Sequence, residues 1–202
     1  MATGSDDQQV DARERVVAEA ALRIAARDGL DAVSIRTVAA EAGYSLGMVQ
    51  RLFATKDDLV RRAMAMVAER LGSRVARLNP QRSPRTALRR LGVILLAMDD
   101  AERADALVWM TFSARAAFRP DLAAQLREHY APAQYSVRLL LDIAKERGEL
   151  VNGVRTDLAA TVLLALIDGL TVHLLIGLVD FAAAKRVLYR TIDAYFTKAG
   201  AP

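Results

Sequence analysis

Along most of the chain, apolar residues recur at i, i+3, i+4 and i+7. No stretch alternates apolar and polar residues for long enough to predict a strand. A chain with that single period has to bury helix against helix, so the fold class expected is all-α. The breakers agree with this. The five prolines, at positions 80, 84, 120, 132 and 202, fall mostly where the pattern needs a helix to begin or end. Read between these marks, the pattern predicts about nine helices. The first runs over 10–28, with Val17, Ala20, Ala21 and Ile24 on its buried face. Two short ones follow Ser34 and Ser45, and a fourth starts after Thr55 and continues to Leu78. The rest are predicted at 84–98, 101–119, 121–147 with a kink at Pro132, 157–178 and 181–199.

Composition narrows the chemistry. Hydrophobic residues are 53% of the 202, enough for a packed core. With no cysteine there is no disulfide frame, thiolate metal site or cysteine nucleophile, and only His129 and His173 remain as imidazoles, so a metal site is not expected. No phosphate-binding glycine loop, Gly-x-Ser-x-Gly elbow or paired-histidine cluster is present, so neither an enzyme nor a cofactor is expected. The N-terminus is polar and acidic, without a signal-peptide pattern. The most apolar stretch, 161–181, carries Asp168, His173 and Asp180, which argues for a buried interface helix over a membrane span. A cytoplasmic protein with no membrane partner is expected.

Charge is unevenly distributed. Residues 1–50 hold 5 basic against 8 acidic residues, 51–90 hold 11 against 3, and 91–202 hold 12 against 13. The basic block begins inside the second of the two short helices. There it could face phosphates or form a solvated arginine-rich face.

Those two short helices have the layout of a helix-turn-helix. Ser34 caps the first, whose inward face is Ile35, Val38, Ala39 and Ala42. Gly43 makes the turn, and Ser45 caps the second, which buries Val49, Leu52 and Phe53. In such a motif the second helix enters the major groove. Its outward residues are Leu46, Gly47, Gln50 and Arg51. Gln50 and Arg51 can bond base edges or phosphates, and Gly47 lets the backbone come close.

The run from Ser34 to Leu59 resembles the TetR-family signature: the Ala42-Gly43 turn, Gly47-x-Val49 in the recognition helix, the closing Phe53, and Lys56-x-x-Leu59 opening helix four. The Asp168-Gly169-Leu170-Thr171-Val172 run, followed by a last amphipathic helix, resembles the choline-responsive repressor subgroup. The resemblance implies an N-terminal three-helix DNA-binding domain over 10–56, linked by helix four to a helical effector-binding and dimerisation domain over 57–199. It implies a homodimer on a palindromic double-stranded DNA operator, most often a repressor released by a small effector whose identity is open. The DNA-facing set is then Ser34, Arg36, Thr37, Ser45, Leu46, Gly47, Met48, Gln50, Arg51 and Lys56. Met48, Gln50 and Leu52 depart from the threonine, tyrosine and histidine or tyrosine that members commonly carry. Lys56, at a helix N-terminus where the dipole disfavours a cation, points to an external anion. A helical ligand-binding dimer without specific DNA binding is the alternative.

Two further sets follow in the C-terminal half. Aromatic residues are only 5% of the chain, so their grouping suggests an effector pocket lined by Met98, Trp109, Met110, Phe112, Phe118, Tyr130, Tyr135 and His173. Asp168 is expected to bond a neighbouring helix or to counter a cationic effector. The helix over 157–178 is apolar over most of its circumference. With the last helix it is expected to form the dimer interface through Leu163, Leu166, Ile167, Leu170, Leu174, Leu178, Ile192, Tyr195 and Phe196, with Gly169 and Gly177 allowing close approach.

Overall fold

The computed structural model describes residues 3–77, 83–96 and 100–197. Every regular element among them is helical: α1 (Thr3–Asp28), a 3-10 turn (Leu30–Ala32), α2 (Ile35–Ala42), α3 (Leu46–Leu52), α4 (Lys56–Val75), α5 (Pro84–Leu95), α6 (Asp100–Ala116), α7 (Pro120–Glu146), α8 (Thr156–Leu175) and α9 (Phe181–Ala194). One isolated antiparallel bridge pairs Leu150 with Phe196. The all-α expectation therefore holds. Met98, Leu78 and Pro80 lie outside the described residues.

Local chemistry accounts for the helix ends. The Ser83 hydroxyl accepts from the Thr86 amide at 3.3 Å, and Pro84 then opens α5, where its missing N–H costs nothing. Thr55 and Asp58 form a reciprocal box at the start of α4. The Thr55 amide donates to Asp58 Oδ2 at 3.0 Å, and the Asp58 amide donates to Thr55 Oγ1 at 3.1 Å. Pro132 lies inside α7, which continues through it to Glu146.

The chain divides into two compact units, 1–70 with 100–123, and 71–99 with 124–202. This corrects the expected boundary at 56/57, because most of α4 and the whole of α6 belong with the helix-turn-helix. The cause is packing. The buried α6 residues Val108, Phe112 and Ala116 lie on a helix that contacts α1. Arg70 of α4 bridges Asp105 of α6 at 3.0 Å and Glu19 of α1 at 3.3 Å. In the second unit α5, α8 and α9 pack around a core that includes Leu91, Leu141, Leu163, Leu188 and Ile192. There α5 arginines lie on aromatics of α9 and just beyond it: Arg85 stacks over Phe196, and Arg89 over Tyr189 while pairing with Asp193.

Candidate nucleic-acid interface

The helix-turn-helix is built by caps. The Ser34 hydroxyl accepts from the Thr37 amide at 3.1 Å, and the Ser34 amide donates to the Thr37 hydroxyl at 2.9 Å. The Thr37 hydroxyl also lies 2.9 Å from the Ala32 carbonyl. Both hydroxyls sit in the cap, which is their first role. At the other end of α2, Gly43 takes φ 70°, its amide reaches Ala40 O, and the Tyr44 amide reaches Ala39 O at 3.0 Å. That pair of bonds is a Schellman stop, and the left-handed residue in it favours glycine. Ser45 then caps α3 by accepting from the Met48 amide at 3.3 Å.

These ends set which way α3 faces. Val49 and Phe53 are buried against the unit, with α1 and α2 packed on α3. Leu46, Gly47, Gln50 and Arg51 are exposed, and Met48 and Leu52 are half-buried. A Cβ added at Gly47 would meet nothing within 4 Å. The fold therefore gives no packing reason for a glycine in this helix. Close approach of an outside body is a reason that remains.

The charges on this face are unspent. Arg36 and Arg51 are exposed and make no ion pair or hydrogen bond among the described residues, whereas Arg23, Arg27, Arg61, Arg62 and Arg70 of the same unit pair with carboxylates. Lys56 is half-buried, and its ammonium donates to the Asp31 carbonyl at 3.3 Å, which ties the start of α4 to the 3-10 turn. Away from this face, Arg23 holds Glu41 at 3.0 Å and so fastens α1 to α2. The Arg23 bond is the main reason the Glu41 carboxyl lies below its ordinary pKa.

The structure redistributes the expected effector set. Trp109, Met110, Phe112 and Phe118 belong to the first unit, and Tyr130, Tyr135 and His173 to the second. Phe112 is sealed in the first unit's core. Phe118 lies beyond the end of α6, in a turn, and is 87% exposed. Tyr135 is 67% exposed and His173 is also on the surface. Trp109, Met110 and Tyr130 are half-buried. Tyr130 carries the informative contact: its hydroxyl donates to Asp168 Oδ2 at 2.8 Å, joining α7 to α8. Burial pushes the Asp168 carboxyl above its ordinary pKa, and the tyrosine bond offsets part of the rise.

The expected interface residues also need correction. Leu163, Ile167, Leu170, Ile192 and Phe196 are buried within their own unit, and Leu166, Leu174 and Tyr195 pack on the same core. Only Leu178 of that set faces out, at 63% exposure. A helix apolar all round gives no phase from sequence, and here the leucine-rich face turned inward. The outward face of α8 is instead Leu158, Val162, Ala165, Gly169, Val172 and Ile176, spaced 4, 3, 4, 3 and 4 along one stripe. Gly177 takes φ 72°, and the Leu178 amide reaches His173 O at 2.8 Å. It ends the helix.

A capped two-helix motif packed on α1, with an exposed recognition helix and exposed arginines beside it, defines the class of helix-turn-helix DNA-binding proteins. The family model for bacterial regulatory proteins of the tetR family matches residues 17–63, and that for the BetI-type transcriptional repressor C-terminal region matches residues 84–197. The chain is 30% identical over 171 residues to the HTH-type transcriptional regulator BetI of Stenotrophomonas maltophilia, covering 82% of this chain and 83% of that one. A transcriptional regulator from Rhodococcus sp. Rha1 superposes with a TM-score of 0.81 at 29% identity, covering 90% of this chain and 95% of the other. A regulator from Saccharomonospora viridis, solved in complex with choline, superposes at 0.78 with 24% identity, covering 91% and 94%. The chain belongs to the TetR family of helix-turn-helix transcriptional regulators, with a BetI-type C-terminal region. It is a transcription regulator and not an enzyme.

Proposed function

We propose that the protein acts in the cytoplasm as a homodimer on a palindromic operator, repressing transcription until a small effector lowers its affinity for DNA. The observation that carries this reading is the face of α3: a capped helix presenting Gln50 and Arg51 outward, a glycine that packing does not require, and, with Arg36 of α2 beside it, arginines that pair with no carboxylate among the described residues. In the major groove Gln50 and Arg51 reach base edges, while Arg36 and Lys56 meet phosphates. Ser34, Thr37 and Ser45 offer their caps and amides. Two copies place two recognition helices on half-sites about one helical turn, roughly 34 Å, apart.

The stripe on α8 supports the second copy. Among the described residues α8 is the one helix long and apolar enough to span a bilayer by length and composition. Its other face, however, is packed into the unit's core, and Asp168 sits in its middle, bonded to Tyr130. A second α8 would cover Leu158, Val162, Val172 and Ile176 and take that apolar surface out of water.

For the effector, the Tyr130–Asp168 pair supports a small organic cation. A partly buried carboxylate with no cationic partner among the described residues, beside an aromatic ring, suits an ammonium group. The regulator bound to choline shows that a chain of this fold takes such a ligand. The test is footprinting on the DNA upstream of the protein's own gene, with selection from random duplexes in parallel and choline as the first ligand probe. Protection of a short palindrome, lost in Arg51→Ala, is the expected result. Retained dimerisation and choline binding with no preferred DNA sequence would leave only a ligand-binding dimer.

A further inference from the structure

The first turn of α4 holds a conflict of charge. Asp57 and Asp58 are favourable there, because a helix N-terminus attracts carboxylates. Asp58 is spent locally, in the box with Thr55 and in a pair with Arg61. Asp57 takes no part in the cap. It lies next to Lys56, so on the reading that Lys56 meets a phosphate, an uncompensated Asp57 would repel the same strand.

Its charge is met from elsewhere in the first unit. Arg119, in the turn between α6 and α7, reaches Asp57 Oδ2 with Nη2 at 3.1 Å. The guanidinium is held by a two-pronged pair with Asp121 on the first turn of α7, Nε to Oδ1 at 3.0 Å and Nη2 to Oδ2 at 2.8 Å. Asp121 fixes the fork, and the fork delivers its shared Nη2 to Asp57, across 62 positions of sequence. Arg119 is Asp57's partner in this structure.

We propose that Arg119 is a positioning residue for DNA binding: by compensating Asp57 it lets the carboxylate serve the α4 N-terminus without repelling the phosphate that Lys56 meets. This rests on the regulator reading above. It differs from a purely mechanical latch in the sign of one effect. If the pair only held α4 in place, losing either partner would weaken DNA binding. If it cancels charge, losing Arg119 weakens binding, whereas losing Asp57 leaves it unchanged or tightens it.

The experiment measures affinity, across a salt series, for a short duplex carrying the palindrome that the wild-type dimer selects from random DNA. Arg119→Ala is expected to bind roughly threefold to tenfold more weakly at low salt, two exposed charge contacts being lost per dimer. The deficit should shrink as salt screens Asp57. Asp57→Asn is expected to match or exceed the wild type, and Asp57→Asn combined with Arg119→Ala to return within about twofold of it. Arg119→Lys keeps the charge but not the fork and should fall between wild type and Arg119→Ala, and Arg119→Gln replaces Arg119→Ala if the alanine variant melts early. Weakening by Asp57→Asn as large as that by Arg119→Ala, a double variant that stays weak, or an Arg119→Ala deficit constant across salt would each overturn the proposal. A wild-type protein that selects no sequence overturns the regulator reading, and this inference with it.

Discussion

α3 and α8 each bury one face and leave the other to solvent, but the two exposed faces differ in kind. α3 shows Gly47, Gln50 and Arg51, with only Leu46 apolar. α8 shows Leu158, Val162, Ala165, Gly169, Val172 and Ile176 and nothing charged along that stripe. The first is costless in water and gains from meeting an anion. The second is costly in water and gains from meeting a surface like itself. On the reading proposed above, that contrast matches α3 with DNA and α8 with a second copy.

The largest break in that contrast should come from placing a charge on the α8 stripe. Ile176, 69% exposed in a single chain, would be covered in a dimer. Ile176→Asp or Val172→Asp is expected to cost about 3–5 kcal/mol of dimerisation. Sedimentation should show monomers with an unchanged helical signal. On the same helix but the opposite face, Leu163→Ala should act on folding, not on association. It is buried in its own unit, so the loss should be about 2–5 kcal/mol in a denaturant melt. If Leu163→Ala dissociated the dimer and Ile176→Asp did not, the two faces of α8 would be reversed.

On α3 the effects should spare the fold. Arg51→Ala removes an exposed side chain with no partner, so its melting temperature should match wild type. Operator affinity should fall by about 1–3 kcal/mol per half-site if Arg51 reads a base. Gly47→Ala sharpens the point, because it should move stability and function in opposite directions. With open space around the new methyl, the fold gains up to about 0.5–1 kcal/mol, while the groove contact weakens. A Gly47→Ala protein that bound operator as well as wild type would remove the close-approach argument.

The smallest effect concerns the polar residue in the middle of α8. Burial raises the Asp168 pKa, so the folded state holds that proton more tightly than the unfolded chain does. Native stability is therefore lost as pH rises from the ordinary carboxylate range through the raised value, and regained as pH falls. Asp168→Asn removes this slope, so its melting temperature should gain on wild type more at neutral pH than near pH ~4. Parallel melting curves for the two proteins would show that the carboxylate carries no such linkage.

What the sequence disclosed follows the range of each interaction. The helix-turn-helix was legible because its determinants are local: Ser34, Gly43 and Ser45 act within a turn of themselves, and each took the expected cap or stop. The phase of α8 was not legible, since apolar residues surround the helix and only its neighbours α5 and α9 decide that Leu163, Ile167 and Leu170 point inward. The burial of the aromatic residues was not legible for the same reason. Phe112 went to a core and Phe118 to a turn, and nothing within a few residues distinguishes them. Asp57 and Arg119 were invisible as a pair, because their proximity depends on where the turn after α6 falls against the start of α4.

The most direct test of the contrast between α3 and α8 is selection from random duplex DNA by wild-type protein, run beside Gln50→Ala/Arg51→Ala protein shown to be dimeric. Enrichment of a palindrome by the wild type, lost in the variant, is the predicted result. No enrichment by a wild-type dimer, or the same palindrome recovered by both proteins, would contradict the assignment of α3 as the DNA-reading helix.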